Sequence, residues 1–351
     1  MSNSLTKNEF IYSFQEVILN KLIPVTILKS QMEALRKPPR NTDLTYAAGH
    51  LILRDEPWVV DLEFYTQLAG YNLHHLNRFR KVVEKALSSN QCKKIICWTN
   101  LAKKTITENT SNKEIHDKIE IVRLSTTTRK FTKMSSKDKI KILFVGSSNI
   151  PGEFEFKGGI DLLISIKKLN QRYDNLEFTV RSDMPKELKK EFHQISNVII
   201  LDQLIPWSQL DQMFQSADIF LFPTHSTPGL VLLDAMSYEL PIITSDVWAN
   251  SEMVIPGENG FLVRANKNVR YTNEKQVPIW THRTHSNFIQ STRKRDQERI
   301  QDIVNKTGLL IEDEKLRKRL GKNGRKMVEN GTFSMQKRTQ KLKKIFDQAT
   351  S

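Results

Sequence analysis

Short apolar runs alternate with helical patterns along the first third of the chain. Residues 8–22 repeat apolar side chains at helical spacing, which predicts an amphipathic helix packed on its own domain rather than on a membrane. A second helical pattern covers residues 73–87. Strands are predicted at the short apolar, β-branched runs, which are residues 24–28, 58–62, 94–98 and 119–122. Strands that alternate with helices predict a parallel sheet covered on both faces.

The second half of the chain repeats this alternation with more strongly apolar runs. The predicted strands cover residues 139–146, 176–180, 197–201, 217–223 and 241–244. Helical patterns lie between several of these strands, at residues 160–170, 207–216 and 229–238. This order predicts a doubly wound α/β domain, a fold that binds ligands outside the carboxyl ends of its strands.

Two polar stretches interrupt these patterns and suggest domain boundaries. Residues 125–139 are rich in Ser, Thr and basic side chains, so we expect a first domain at 1–130 and a linker at 131–139. The second domain is expected at 140–325, and a helical tail at 326–351. Within that domain, residues 266–302 are polar and basic, which predicts an inserted, partly disordered surface segment.

The net charge and the cysteine content indicate which kind of partner the protein binds and in which cell compartment it is expected. The chain carries 54 Lys and Arg against 39 Asp and Glu, a formal charge of +15. Such an excess predicts an anionic partner, which could be nucleic acid, an anionic membrane surface or a phosphorylated substrate. Two cysteines exclude a disulfide framework and a cysteine-rich zinc site. With neither a signal-peptide pattern nor an apolar run long enough to span a bilayer, we expect a cytoplasmic protein.

The glycines indicate which domain holds a phosphate site. Only two of the 13 glycines precede residue 140, so the first domain lacks a glycine-rich nucleotide loop. In the second domain, Lys157, Gly158 and Gly159 follow a predicted strand and open a predicted helix. Backbone N–H groups, the positive end of the helix and the lysine charge all favour an anion there. The same three residues are also compatible with an ordinary turn.

A carboxylate in an apolar helix forms a second candidate site. Asp234 lies in the sequence LVLLDAM, one turn beyond the expected helix start near Gly229. A carboxylate among apolar neighbours is costly unless it has a partner. A ribose diol would be suitable, because a carboxylate accepts two hydroxyl protons. Pairing with a nearby lysine or arginine is an equally good explanation from the spacing alone.

The second half resembles the nucleotide-binding half of glycosyltransferase family 4, the retaining group with the GT-B fold. The resemblance rests on an ordered series of segments, including KILFVG, FKGGIDLLISIKKL, DNLEFTV and GLVLLDAMSYELPIITSD. It implies an α/β protein with two Rossmann-like, doubly wound domains facing a cleft. It also implies a hexosyltransferase-like enzyme that uses a nucleoside-diphosphate sugar as donor substrate, without a further cofactor.

The resemblance also assigns residues to the donor. Lys157 falls on the lysine that binds the diphosphate, with Gly158 beside it. Asp234 falls on the second acid of the family's E-x7-E pattern, which holds the ribose. Gly229 and Leu230 fall on the loop that faces the donor sugar and phosphate.

Several positions depart from the family pattern. Ser226 replaces the first acid of E-x7-E, where its hydroxyl could bond a sugar hydroxyl. Ser147 and Ser148 stand where the family has an arginine, and Arg181 on the next strand is a candidate to restore that charge. In the first domain, Glu63 aligns with the family's histidine. The catalytic candidates are therefore Lys157, Ser226 and Glu63.

We expect a retaining glycosyltransferase that moves a sugar to a glycan or lipid-linked acceptor. The chain has no D-x-D triplet, which argues against a metal-dependent glycosyltransferase. The alternative is a catalytically impaired relative that acts as a nucleotide-sugar-binding or scaffold subunit. The charge motivates a hypothesis of peripheral contact with an anionic membrane on its inner face. Nucleic acid ranks last, because no basic and aromatic residues alternate as in base-stacking surfaces.

Overall fold

The computed structural model describes residues 24–35, 41–134, 138–146, 153–227, 229–274 and 286–350. These residues form two compact units. The first unit takes residues up to 124 together with 270–274 and 338–350, and the second takes 125–269 and 286–337. The helix predicted at residues 8–22 lies outside the described residues.

The first unit is a four-stranded parallel sheet with helices. Its elements are α1 (Val25–Ala34), β1 (Thr45–Ala48), β2 (Trp58–Leu62), α2 (Leu73–Arg78), α3 (Arg80–Ser88), β3 (Cys92–Cys97), α4 (Asn100–Thr107), α5 (Lys113–Asp117) and β4 (Ile119–Ile121). The described strands pair in the order β1-β2-β3-β4.

Both faces of this sheet are buried. Trp58 and Val60 of β2 pack in the main core of the unit, whereas Val59 packs on the other face with Ile345 and Ala349 near the C-terminus. This confirms the predicted parallel sheet covered on both faces, which explains why β2 is apolar along most of its length.

The strands predicted for the first unit differ from the structure at two places. Residues 24–28 were predicted as a strand, but residues 25–34 form α1 with Ile27 buried. A short apolar run fits a strand or a buried helix equally well, and here the helix-forming residues that follow decide the outcome. The strand β1 was not predicted, because TYAA is short and only weakly apolar.

The second unit is a six-stranded parallel sheet. Its elements are β5 (Ile140–Val145), α6 (Glu153–Phe156), α7 (Gly159–Asn170), β6 (Leu176–Arg181), α8 (Lys186–His193), β7 (Val198–Leu201), α9 (Trp207–Ser216), β8 (Ile219–Phe222), α10 (Leu230–Ser237), β9 (Ile242–Ser245), β10 (Gly260–Val263), α11 (Ser286–Thr292), α12 (Gln297–Glu312), α13 (Glu314–Glu329) and α14 (Met335–Thr350), which continues into the first unit.

The strand order of the second unit reverses at its centre. The order is β10-β9-β8-β5-β6-β7, so the chain first builds outwards from β5 and then returns to build on its other side. This confirms the predicted doubly wound domain. The strand order therefore reverses between the neighbouring strands β5 and β8, and open α/β sheets bind ligands at the carboxyl ends of such strands. We call this place the switch point.

The polar stretch at 266–302 is more ordered than the sequence suggests. Over its described part it contains α11 and the start of α12, and Arg299 is completely buried. Arg293 in the same stretch donates to the buried Glu155, at 2.5 Å. The expectation of a surface segment is therefore wrong for Arg299, because its charge is matched inside the unit rather than by water.

Candidate functional site

Two loops meet closely at the switch point. Gly158 follows α6 and has φ +85°, a conformation that favours glycine. A Cβ atom at this position would lie 2.0 Å from the carbonyl oxygen of Pro223, which follows β8. The Phe156 carbonyl also accepts a hydrogen bond from the His225 N–H, at 2.9 Å. Glycine is therefore required at residue 158 for the two loops to approach each other.

Lys157 reaches from one loop to the other. Its Nζ donates to Ser226 Oγ at 2.9 Å and lies 3.8 Å from Glu153 Oε2. The ammonium also lies over the rings of Phe156 and Phe222, with centroid distances of 5.3 and 5.9 Å. The lysine side chain is 16% exposed, so its charge is held in a fixed place but remains accessible at the surface.

Ser226 is completely buried, which changes its expected role. Its hydroxyl accepts from Lys157 and lies 2.8 Å from Thr224 Oγ1, and Asn250 donates to its carbonyl. The direct contact with a sugar hydroxyl expected from the resemblance does not fit this burial. Within the structure the Ser226 hydroxyl is an acceptor for the Lys157 ammonium.

Two helix N-termini lie at the same edge of the sheet. The N-cap residue of α7 is Gly158 and that of α10 is Gly229, and neither helix start has a side-chain cap. The first N–H groups of a helix have no partner within the helix, and they carry partial positive charge. Leu230, the first residue of α10, is 55% exposed. Gly229 and Leu230 therefore form an accessible helix start that suits an anion.

Asp234 lies one turn into α10 and is half-buried. Its Oδ1 accepts from Thr126 Oγ1 at 3.3 Å, and within the described residues it forms no ion pair with a lysine or arginine. Burial raises its pKa above the ordinary value, although the bond from Thr126 opposes this. Asp234 is thus a poorly compensated carboxylate with hydrogen-bonding capacity to spare.

Arg181 adds a second positive charge near the switch point. It ends β6, and its Nη1 donates to the Gly146 carbonyl at 2.8 Å, immediately after β5. Its Nε is buried without a hydrogen-bond partner among the described residues. Ser147 and Ser148 lie outside the described residues. The guanidinium is therefore held at Gly146, the residue that directly precedes the positions where the family pattern expects an arginine.

A buried charge network lies behind these loops, and sequence reasoning missed it. Asp161 Oδ2 accepts from Arg299 Nε at 2.7 Å and lies 3.2 Å from His225 Nε2. Burial alone would raise the pKa of Asp161, but Arg299 and His225 together bring it below its ordinary value. Burial also lowers the pKa of His225. The available signal was an aspartate inside an apolar helical sequence, GGIDLLISI, the same signal that singled out Asp234.

Glu63 belongs to the first unit, directly after β2. Its Oε2 accepts from the Tyr71 hydroxyl at 2.8 Å, and its N–H donates to Gln67 Oε1 at 2.7 Å. Two positions earlier, the buried Asp61 accepts from Tyr46, Trp98 and Arg338. Both carboxylates are held by neighbouring side chains at the carboxyl end of β2.

Neither a membrane-spanning helix nor a metal-binding cluster is present among the described residues. None of their helices is long and apolar enough to cross a bilayer. They bring no three His, Cys, Asp or Glu side chains together as a metal-binding cluster.

Similar sequences identify the type of domain. Residues 139–274 match the protein family described as glycosyl transferases group 1, which confirms the predicted glycosyltransferase domain. A similar protein is the capsular polysaccharide biosynthesis glycosyltransferase CapM of Staphylococcus aureus, with 29% identity over 155 residues. The match covers 44% of this chain and 31% of CapM, so it spans less than a third of that relative.

Similar structures confirm the fold class. Sucrose-phosphate synthase from Thermosynechococcus elongatus matches 94% of this chain and 78% of its own, with a TM-score of 0.62 and 16% identity. HepE from Anabaena, solved in complex with UDP, matches 94% of this chain and 84% of its own, with a TM-score of 0.60 and 13% identity. At these identities the likeness concerns the fold alone, which is GT-B with two Rossmann-like α/β domains.

Proposed function

We propose that this protein is a retaining glycosyltransferase that moves a hexosyl unit from a nucleoside-diphosphate sugar to a glycan or lipid-linked acceptor in polysaccharide biosynthesis. The observation that carries the proposal is the Lys157 ammonium, fixed 2.9 Å from Ser226 Oγ at the switch point, where two helices start without side-chain caps. CapM, named for capsular polysaccharide biosynthesis, and HepE, solved with UDP, support this process and donor.

The reaction breaks the bond between the sugar and the diphosphate, so negative charge grows on the leaving group. Fixed positive groups aimed at that charge lower the barrier. Lys157, Arg181 and the start of α10 supply such groups without a divalent cation, so we propose metal-independent transfer. Activity that persists in a chelator would support this, and activity that requires added Mg²⁺ or Mn²⁺ would contradict it.

Asp234 and Ser226 take distinct roles in the proposal. Asp234 accepts hydrogen bonds from the ribose hydroxyls, in place of the weak 3.3 Å bond from Thr126. Ser226 acts through Lys157, whose ammonium it holds in place. Gly229 and Leu230 bring backbone N–H groups to the phosphates, whereas the Gly158 N–H donates to the Glu155 carbonyl at 3.0 Å and Gly158 serves to let the two loops approach each other.

We propose Glu63, directly after β2 of the first unit, as a catalytic residue, because the resemblance aligns it with the family's histidine. In the front-face mechanism implied by the resemblance, the leaving diphosphate itself helps to deprotonate the acceptor, so no enzymatic nucleophile is needed. The Tyr71 hydroxyl holds the Glu63 carboxylate by a 2.8 Å hydrogen bond.

Cytoplasmic location with peripheral contact at an anionic membrane belongs to the same proposal. The support is the formal charge of +15, which favours an anionic surface. Binding to vesicles that contain anionic lipid, lost when that lipid is replaced by a zwitterionic one, is the expected result. Binding that is unchanged by this replacement would contradict the membrane contact.

Calorimetry with UDP, followed by GDP and ADP, tests the donor site. The parent should bind at least one of these, and Lys157→Met should bind it more weakly. Lys168→Met is a matched control, since Lys168 lies near the opposite end of the 12-residue helix α7, roughly 15 Å away. No binding by the parent would refute the proposal. Binding without sugar transfer would favour the non-catalytic alternative, whereas the domain match favours the enzyme.

A further inference from the structure

Arg299 forms an unusually complete set of hydrogen bonds inside the second unit. Its side chain is fully buried. Its Nη2 donates to the Pro223 carbonyl and to Ser245 Oγ, both at 2.8 Å, and its Nη1 donates to the Arg264 carbonyl. Its Nε donates to Asp161 Oδ2 at 2.7 Å. One guanidinium thus joins four separate segments of the unit.

Two of these segments, at Pro223 and Asp161, belong to the loops and helix that form the proposed donor site. Pro223 follows β8, Ser245 ends β9, Arg264 follows β10, and Asp161 lies in the first turn of α7. Arg299 therefore links the carboxyl ends of three adjacent strands to the helix that starts at Gly158.

The network continues into the loop that holds Lys157. Asp161 Oδ2, which accepts from Arg299, also lies 3.2 Å from His225 Nε2. His225 immediately precedes Ser226, which accepts from Lys157. A displacement of Arg299 would therefore reach the Lys157 ammonium through the side chains of Asp161, His225 and Ser226 and the peptide bond between the last two.

Stability alone is a weak explanation for this buried ion pair. Removing two charges from water costs several kcal/mol per ion, and apolar replacements of such pairs are often no less stable. A planar guanidinium has five donors in a fixed fork, which a lysine ammonium lacks. The hydrogen bonds of the Arg299 guanidinium therefore favour a role in fixing the relative positions of the four segments that it joins.

We propose that Arg299 is a positioning residue of the donor site, which holds residues 223–227 so that Ser226 meets the Lys157 ammonium. Its effect on the donor rests on the function proposed above, whereas its hold on the loop does not. Arg299 comes from the polar stretch that the sequence suggested was a surface insertion, and that stretch thereby becomes part of the site.

The test uses three variants of the full chain. Arg299→Lys keeps the charge but loses the fork, and Ser245→Ala removes one acceptor while the pair with Asp161 stays intact. Thr307→Val is the control, because Thr307 is also buried on α12 but donates only within its own helix, to Ile303, at 2.7 Å. The two measurements are amide hydrogen exchange of residues 224–227 without ligand, since Pro223 has no N–H, and calorimetric affinity for UDP, GDP or ADP.

Arg299→Lys should speed loop exchange and weaken diphosphate binding, each by about tenfold or more. Ser245→Ala should act in the same direction but less strongly, and Thr307→Val should change neither while lowering the unfolding midpoint. Unchanged loop exchange and affinity in a folded Arg299→Lys protein would overturn the proposal. If that variant does not fold, unchanged loop exchange in Ser245→Ala overturns it. A parent that binds no diphosphate refutes the proposed function, and loop exchange then decides separately whether Arg299 holds the loop.

Discussion

Replacement of Lys157 by methionine removes the charge proposed to stabilise the leaving diphosphate. Methionine keeps an unbranched side chain of similar length, so the space beside Phe156 and Phe222 stays filled, while the cation–π attraction of the ammonium to both rings is lost. Loss of one such electrostatic donor typically costs about 3 kcal/mol in barrier, or roughly 10²-fold in kcat. We therefore expect kcat for sugar transfer to fall by roughly two orders of magnitude.

The same change also affects folding, and this effect needs a control. Glu153 is buried and lies 3.8 Å from the Lys157 ammonium, so its carboxylate loses that cation. Removing one partner of a buried ion pair costs up to about 3–5 kcal/mol, and the partial exposure of Lys157 places this pair below that range. The double variant Glu153→Gln with Lys157→Met removes both charges and should recover much of the lost stability.

Steady-state kinetics with saturating acceptor, together with urea unfolding, separate the two effects. The double variant should approach the parent in unfolding midpoint yet remain as slow as Lys157→Met. The reasoning is refuted if the double variant regains transfer, since instability would then explain the loss. It is also refuted if folded Lys157→Met keeps kcat within a few-fold of the parent.

Three further variants test other parts of the site. Asp234→Asn should weaken UDP binding by roughly 10- to 150-fold in calorimetry, because hydrogen bonds to a charged group contribute about 1.5–3 kcal/mol. Burial raises the pKa of Asp234, so the native state keeps the carboxyl proton to higher pH than the unfolded chain does. The free energy of unfolding of the parent should therefore fall as pH rises from 3.8, the ordinary value, towards the raised value. Urea unfolding of Asp234→Asn should lack this fall, because the amide does not titrate. Gly158→Ala should lower the unfolding free energy in urea by at least about 1–3 kcal/mol, through positive φ and the contact with Pro223. Arg181→Met should weaken UDP binding and reduce its dependence on salt.

Each of these predictions has its own control or contrary outcome. Gly257→Ala matches Gly158→Ala in backbone conformation, with φ +77°, but nothing lies within 4 Å of its added Cβ. An equal loss of stability in both alanine variants would show that the close approach to Pro223 is unimportant. Full UDP affinity in Asp234→Asn would remove the ribose assignment. An unchanged salt dependence in Arg181→Met would place that guanidinium away from the phosphates.

The strands of the second unit could be predicted because each is a short, strongly apolar run between clear helical patterns. The predicted strand at 217–223 and helix at 207–216 correspond to β8 and α9. The strand prediction at residues 24–28 is wrong because a run of five residues is too short for its periodicity to separate a strand from a helix. The helix-forming residues that follow, up to Ala34, decide for a helix, and Ile27 is buried on it.

The candidate site was only partly predictable for a different reason. Lys157 and Asp234 lie in local patterns that already indicate an unusual environment. Arg299 and Asp161 are 138 positions apart, and a lone arginine in a basic stretch has the same sequence signature as a solvated one. The burial of Ser226 likewise depends on Lys157 and Asn250, which approach it from other loops. The part of the site that was not predicted therefore consists of side chains that contact one another from distant positions in the sequence.

A crystal structure of the protein with UDP would test most directly whether the switch point holds a nucleoside diphosphate. The account predicts phosphate oxygens within hydrogen-bond distance of Lys157 Nζ and of the N–H groups at the start of α10, with the ribose hydroxyls at the Asp234 carboxylate. UDP bound away from the carboxyl ends of β5 and β8, or with its ribose turned away from Asp234, would contradict it.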